Sequence, residues 1–476
     1  MRILIHGINF SPELTGIGKY SGEMAEWLVA QGHEVRVVTA PPYYPQWKVA
    51  VGYSGVRYKR EFVTASPSTC SGQARARQSR DLVPAAAGGS GWIATSAMPP
   101  RNDGMVVYRC PLWVPLRPSG LKRVLHLASF ALSSFPIMLR QIFWRPDVVL
   151  VVEPPLFCAP QAWLVARLSG GKAWLHIQDY EVDAAFDLGL LKGAALRRWV
   201  AACERWLMRG FDRVSTISQR MVERALAKGV APERVVLFPN WVEITGPRIE
   251  ASGLSKAGQS GYRAELGITA DAVVALYSGN MGGKQGLEIL AQVASLCRGF
   301  PFPPAPLKEQ LAIRLDVKAA KSLVIPLAGE VSSVVFVFCG DGAGRADLVA
   351  LCDGLPNVRF MDLQPLVRLG ELLAMADIHL LPQRADAADL VMPSKLTGML
   401  ASGRPVVATA HANTELANVV VGCGLVVEPE QPQAFADAIM KLANDEVLRS
   451  RLGAAGRAYA EAHLAGMRCL AGLRRR

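Results

Sequence analysis

The sequence predicts an α/β protein built from two doubly wound parallel sheets. Apolar strand-like runs alternate with helix-like segments along its whole length, the βαβ rhythm of parallel sheets. The rhythm restarts after residue 240, so two units fit better than one oversized sheet. With 476 residues, 51% hydrophobic and 19% charged, the chain can fill two cores and is not of disordered composition.

"RILIHGI" reads as a first buried strand, followed by a helix near Gly18–Gln31 and by the strand "HEVRVVTA". Residues 61–104, rich in Ala, Ser, Gly and Pro, read as a disordered insertion. "DVVLVVE", "AWLHIQD", "RVSTIS" and "RVVLFPN" complete a first domain, 1–240. The polar stretch "ITGPRIEASGLSKAGQSGY" links it to a second, 241–476, with strands "AVVALYSGN", "VVFVFCGDG", "NVRFMD", "DIHLLPQ", "PVVAT" and "GLVVEP". A second insertion spans 298–333, and a helix runs through "RLGAAGRAYAEAHL". In "LVMPSKLTGMLASGRPVVAT" a short helix starts near Pro393 and Ser394 and stops at Gly403. Lys395 sits in its first turn, where acidic side chains are preferred.

The net charge of +12 and pI near 9.4 point to an anionic partner: nucleic acid, a membrane surface or a phosphorylated small molecule. Nucleic acid is disfavoured, because the cations are scattered without an aromatic-interleaved patch. Nine cysteines without a CxxC read as reduced core thiols, not as a zinc site. "MRILIHGINF" lacks a signal-peptide core. Residues 124–139, "VLHLASFALSSFPIML", are too short to span a bilayer. Lys122, Arg123, Arg140 and Arg145 flank them, leaving two readings: a core helix, or a helix lying on a membrane surface.

Glycine loops follow several strands. Gly16 and Gly18 precede the first helix and suit an anion loop. Their spacing misses the dinucleotide fingerprint, and no acid ends the second strand, so NAD binding is not expected. "SGNMGGKQG" sets Lys284 among glycines, where it can meet a phosphate, although no P-loop is matched. "FCGDGAGR" offers Gly340, Asp341, Gly342 and Arg345. His176 and Asp179 fall at a strand's end, where an imidazole and a carboxylate suit acid–base work.

Taken in order, "MRILIHGINFSPELTGIGKYSGEMAEWL", "APPYYPQWKV", "CPLWVPLRPSGLKRVLHLASFAL", "HIQDYEVDAAFDLGLL", "FPNWVE", "YSGNMGGKQGLEIL", "FCGDGAGR" and "PSKLTGMLASGRPVV" resemble the retaining nucleotide-sugar glycosyltransferases of the GT-B fold, and more closely the colanic-acid-type exopolysaccharide enzymes, including a fucosyltransferase subgroup. The resemblance implies two Rossmann-like domains facing across a cleft, with the acceptor on the N-terminal side and the nucleotide sugar on the C-terminal side. It implies Lys284, His176 and Asp179 at the reacting centre. It implies Gly16, Gly18, Asn280, Gly282, Gly340, Asp341, Gly342, Asp386, Asp389, Ser394, Lys395 and Leu396 around the donor. The wider family carries two glutamates eight residues apart; here Ala387 and Lys395 hold those positions, and Asn280 replaces a common arginine.

The resemblance further implies transfer without a metal or cofactor, from a nucleotide-diphosphate sugar to a lipid-linked saccharide. It implies retention on the sugar's front face, with the leaving phosphate helping to accept the acceptor's proton. The expected location is cytoplasmic, at the inner face of the membrane and in contact with anionic lipid. A nucleotide-sugar 2-epimerase and a non-catalytic sugar-nucleotide binder are the alternatives.

Overall fold

The computed structural model describes residues 1–13, 16–64, 104–116, 120–154, 156–180, 194–242, 260–282, 285–299, 334–365, 368–385, 392–466 and 470. The chain forms two compact units. One holds Met1–Glu243 with Asp389–Ser394 and His463–Arg476; the other holds Ile244–Ala388 and Lys395–Ala462.

The first unit has an eight-stranded sheet in the order β3-β4-β2-β1-β5-β6-β7-β8. The strands are β1 (Arg2–His6), β2 (Glu34–Thr39), β3 (Lys59–Thr64), β4 (Gly104–Arg109), β5 (Val148–Glu153), β6 (Lys172–Ile177), β7 (Arg213–Thr216) and β8 (Val235–Leu237). All neighbours are parallel except β3 against β4, and Leu4 of β1 pairs with Arg36 on one side and Val149 on the other. Helix α1 (Gly16–Ala30) packs Tyr20, Met24 and Leu28 on one side of the sheet. Helices α2 (Gly120–Gln141), α3 (Ala159–Ser169), α4 (Ala194–Gly210) and α5 (Gln219–Ala227) share a second apolar cluster. Right-handed crossovers place them on the opposite side, because β4 to β8 advance the other way from β1.

The second unit has a six-stranded parallel sheet, β11-β10-β9-β12-β13-β14. Its strands are β9 (Val273–Ser278), β10 (Val334–Cys339), β11 (Val358–Met361), β12 (Ile378–Leu381), β13 (Val406–Thr409) and β14 (Gly424–Val427). The helices α6 (Ser260–Glu265), α7 (Glu288–Leu296), α8 (Arg345–Leu351), α9 (Leu369–Met375), α10 (Lys395–Ala401), α11 (Glu415–Val420), α12 (Pro432–Asn444) and α13 (Glu446–Tyr459) accompany them. Strands β9 and β10 are buried at every position, as a sheet covered on both faces requires. Gly403 has φ 72°, the left-handed conformation that glycine allows where a helix stops.

The structure corrects three expectations. Residues 61–64 and 104 belong to strands β3 and β4, so the proposed insertion is shorter at both ends. Strand β3 is exposed or half-buried throughout, and such an edge strand lacks the continuous apolar run that marks the others. Residues 65–103, 300–333 and most of the linker lie outside the described residues.

The second domain does not keep the chain to its end. The Val242 N–H donates to the Leu464 carbonyl at 2.9 Å, Ala465 bridges to Val242, and Leu470 is buried with Phe238 and Trp241 in the first unit's core.

The third correction concerns residues 124–139. Helix α2 has two apolar faces. Leu127, Phe130 and Met138 enter the core, whereas Leu125, Leu132 and Phe135 are exposed. The core reading therefore holds for one side of the helix, and the opposite side leaves apolar residues exposed. Among the described cysteines six are buried, and Cys203 is exposed.

Candidate functional site

Ligands of doubly wound sheets bind beyond the strands' carboxyl ends, where the strand order reverses. In the second unit that point lies between β9 and β12. The turns after β9 and β10 are joined there by backbone hydrogen bonds. Gly279 N–H donates to the Cys339 carbonyl at 2.9 Å, Met281 N–H to Asp341 at 2.8 Å, and Gly344 N–H to Met281 at 2.8 Å. A Cβ on Gly340 would collide with the Gly279 carbonyl, and one on Gly342 would meet the Met281 carbonyl and the Asn280 Oδ1. Both glycines also have φ near +150°, at 154° and 147°, a region that side chains rarely enter. The glycines thus let two loops close on each other. Asp341 is exposed and accepts from the Gly342 N–H at 2.8 Å. Arg345 is paired with Asp362 at 2.8 Å.

Lys395 enters this point from the start of α10. Its Nζ donates to the Tyr277 hydroxyl at 2.8 Å and lies 4.2 Å from the ring centroid. Tyr277 in turn donates to the Asn280 carbonyl at 2.7 Å. The lysine's Cε and Nζ also lie against Gly279. Among the described residues no carboxylate pairs with it. Burial pushes its ammonium down to about 7, since a desolvated amine resists protonation. The sequence argument looked for this cation at a helix N-terminus; the contact found is with an aromatic side chain. Asn280, Gly282, Gly340, Asp341, Gly342 and Lys395 come together around the joined turns. Ser394 is half-buried beside Lys395, and the Leu396 side chain is buried in the core. Lys284, Asp386 and Asp389 lie outside the described residues.

The first unit's reversal point lies between β1 and β5. The loop after β1 is organised by Glu13, which is buried. It accepts from the Asn9 side chain at 2.9 Å and from the Tyr43 and Tyr44 N–H groups at 3.1 Å each. Desolvation raises its pKa, with these hydrogen bonds opposing. Gly16 has φ 61°, and a Cβ on Gly18 would meet the Glu13 side chain. Both predicted glycines thus shape a loop that encloses a carboxylate.

His176 lies in the first unit's interior at the end of β6. It is 3% exposed, with Nδ1 2.9 Å from Ser215 Oγ and Nε2 accepting from Gln178 at 3.2 Å. Burial pushes its pKa to about 4, so at neutral pH it is uncharged, with both ring nitrogens engaged within the first unit. Asp179 is half-buried just beyond β6. Sequence reasoning missed Glu13 and Tyr277. An acid followed by glycines at the third and fifth positions was the available signal for Glu13; an aromatic within a continuous apolar run carries none.

Comparison with known proteins agrees with this architecture. A glycosyl transferase 4-like domain profile matches residues 15–241, and a glycosyl transferases group 1 profile matches 307–445. WcaI of Escherichia coli (strain K12), whose name provisionally assigns it to glycosyl transfer in colanic acid biosynthesis, is 41% identical over 469 residues, 97% of this chain and 96% of WcaI. Among solved structures, sucrose-phosphate synthase from Thermosynechococcus elongatus has TM-score 0.63 at 15% identity, covering 100% of this chain and 97% of that one. Anabaena HepE in complex with UDP-glucose has TM-score 0.60 at 14% identity, covering 100% and 98%. With both halves matched and a relative similar from end to end, the chain belongs to the glycosyltransferases of the GT-B fold.

Proposed function

We propose that this protein is a retaining glycosyltransferase of exopolysaccharide biosynthesis of the colanic-acid type. It moves a hexosyl or deoxyhexosyl group from a nucleotide-diphosphate sugar to a lipid-linked saccharide at the inner face of the cytoplasmic membrane. The observation that carries the donor reading is the amine of Lys395, held at the second unit's reversal point beside the joined glycine turns. As the glycosidic bond breaks, charge grows on the leaving diphosphate, and fixed cations and N–H dipoles stabilise it. Lys395 supplies such a cation, with Lys284 the second candidate. The donor's phosphate would also favour protonation of the half-buried amine. We read the chemistry as metal-independent, with no protein nucleophile assigned. Similarity to WcaI supports the pathway; the outward apolar stripe of α2 beside Lys122, Arg123 and Arg140 supports a membrane-borne acceptor.

The test incubates purified protein with labelled sugar nucleotides, with and without membrane-extracted lipid-linked saccharides, and with and without EDTA. Transfer with retained anomeric configuration in EDTA supports the proposal. Epimerised sugar without an acceptor would replace it with a 2-epimerase, and neither product with a sugar-nucleotide binder. Lys395→Glu, which restores the wider family's residue, is expected to weaken donor binding by about tenfold. Unchanged donor affinity would remove Lys395 from the site.

A further inference from the structure

Helices α2, α3 and α4 lie side by side on the first unit's sheet. Helix α2 packs on α3, and α3 on α4, and their inward residues share one cluster. Each also exposes apolar side chains. Leu125, Leu132 and Phe135 are exposed on α2, Leu168 on α3, and Phe157 and Phe143 beside them. On α4 the exposed residues are two tryptophans, Trp199 at 67% and Trp206 at 70%. They stand two helical turns apart, with the exposed Cys203 between them on the same stripe.

The charge on these helices has one sign. Residues 120–141 and 159–169 contain no Asp or Glu, and 194–210 contain one, Glu204. Glu204 is buried and paired with Lys228, so the outward charges among the described side chains are Lys122, Arg123, Arg140, Arg167, Arg198, Arg205 and Arg209, with Arg167 also 3.8 Å from Asp212. Beside Trp206, a cavity of about 520 Å³ is lined by Trp163, Arg205 and Arg209 among others, within the size range of ligand pockets. Tryptophan and arginine on one face match the two levels of a membrane interface: rings among the headgroups, guanidinium groups on phosphate. By contrast, among the described residues the large apolar side chains exposed in the second unit are all aliphatic.

We propose that the outer face of α2, α3 and α4 together is a docking surface for anionic phospholipid, with Trp199 and Trp206 as its anchors and the cavity beside Trp206 receiving a phosphate headgroup. This rests on the reading of the protein as a peripheral membrane enzyme, and it extends the contact well beyond α2. No helix among the described residues is long and apolar enough to cross a membrane, so a face of this kind is what would hold the unit there.

Cys203 provides the probe. The full chain carrying Cys70→Ser and Cys469→Ser is labelled at Cys203 with an environment-sensitive fluorophore. It is then mixed with phosphatidylglycerol/phosphatidylcholine vesicles or with pure phosphatidylcholine. A blue shift and flotation on the anionic vesicles alone are expected. Trp199→Ser with Trp206→Ser should weaken partitioning at least about tenfold, and Arg198→Glu with Arg205→Glu should remove the preference for anionic lipid. All four side chains are exposed, so an unchanged thermal midpoint serves as the folding control. If the wild type floats and the tryptophan variant floats equally well, the α4 face is excluded while the peripheral reading survives. If the wild type ignores vesicles, both fail. If an acidic polysaccharide shifts the probe and vesicles do not, the face binds a soluble polyanion and the proposal is overturned.

Discussion

The two units share a doubly wound plan but differ in what they leave uncovered. The first puts Trp199, Trp206, Phe135 and Phe143 into solvent; the second exposes Leu296, Val349, Leu351, Val421 and Val447, and no aromatic side chain among the described residues. The second, in turn, keeps its unusual chemistry at strand ends: a half-buried lysine with no described carboxylate partner against Tyr277, and glycine turns closed on each other. The contrast teaches that one scaffold can place its distinctive feature on an outer layer or at strand ends. Large exposed apolar patches often mark interaction surfaces, and strongly shifted titratable groups often mark functional sites.

Four measurements would break or sharpen that contrast. The largest effect is expected on the two sides of α2. Leu127→Asp puts a carboxylate into the core and should cost about 4 kcal/mol, whereas Leu132→Asp, on the exposed side, should change stability by no more than about 0.5 kcal/mol. Urea unfolding of both variants decides this, and equal costs would mean that the two sides of α2 do not differ in burial. A Val124→Asp/Leu127→Asp pair would not test lipid binding cleanly, because Leu127 is a core residue.

Next, Gly340→Ala meets both a backbone collision and φ 154°. It should destabilise the second unit by about 3 kcal/mol. Gly18→Ala meets only side-chain atoms of Glu13, at a φ open to any residue, and should cost less. Thermal unfolding of both variants would show whether the second unit's turns are the more tightly determined pair.

Third, Leu470→Ala should cost about 2 to 3 kcal/mol, and the loss should appear in amide exchange of the first unit, at Phe238 and Trp241. Slowed exchange there, or a change confined to α13, would detach this residue from that core.

The smallest effect is electrostatic. With its ammonium pushed down to about 7, Lys395 is largely neutral when folded and protonated when unfolded between pH 7 and its ordinary value near 10.5. The unfolded state then binds more protons, so stability rises with pH across that window. Lys395→Met should flatten the slope, as read from urea midpoints at pH 6.5, 8 and 9.5. Parallel slopes would mean that the amine is solvated.

Most strands were legible because a sheet buried on both faces writes continuous apolar runs, as "VVFVFC" does at β10. Strand β3 was not, because an exposed antiparallel edge needs no such run. The glycine positions of the site were legible, since glycine marks a turn whatever surrounds it. Their reason was not: only the packing shows that Gly18 makes room for Glu13 and Gly340 for Gly279. His176 illustrates the limit from the other direction. A histidine at a strand's end reads the same whether it faces a ligand or Ser215, and here it faces Ser215.

The return of the chain past His463 sets an order of assembly. Domains often fold as they leave the ribosome, first unit first. Here the first unit's core includes Leu470, synthesised only after the whole second unit. The early half of the protein therefore keeps part of its apolar interior open until Leu470, beyond the whole second unit in sequence, arrives to close it.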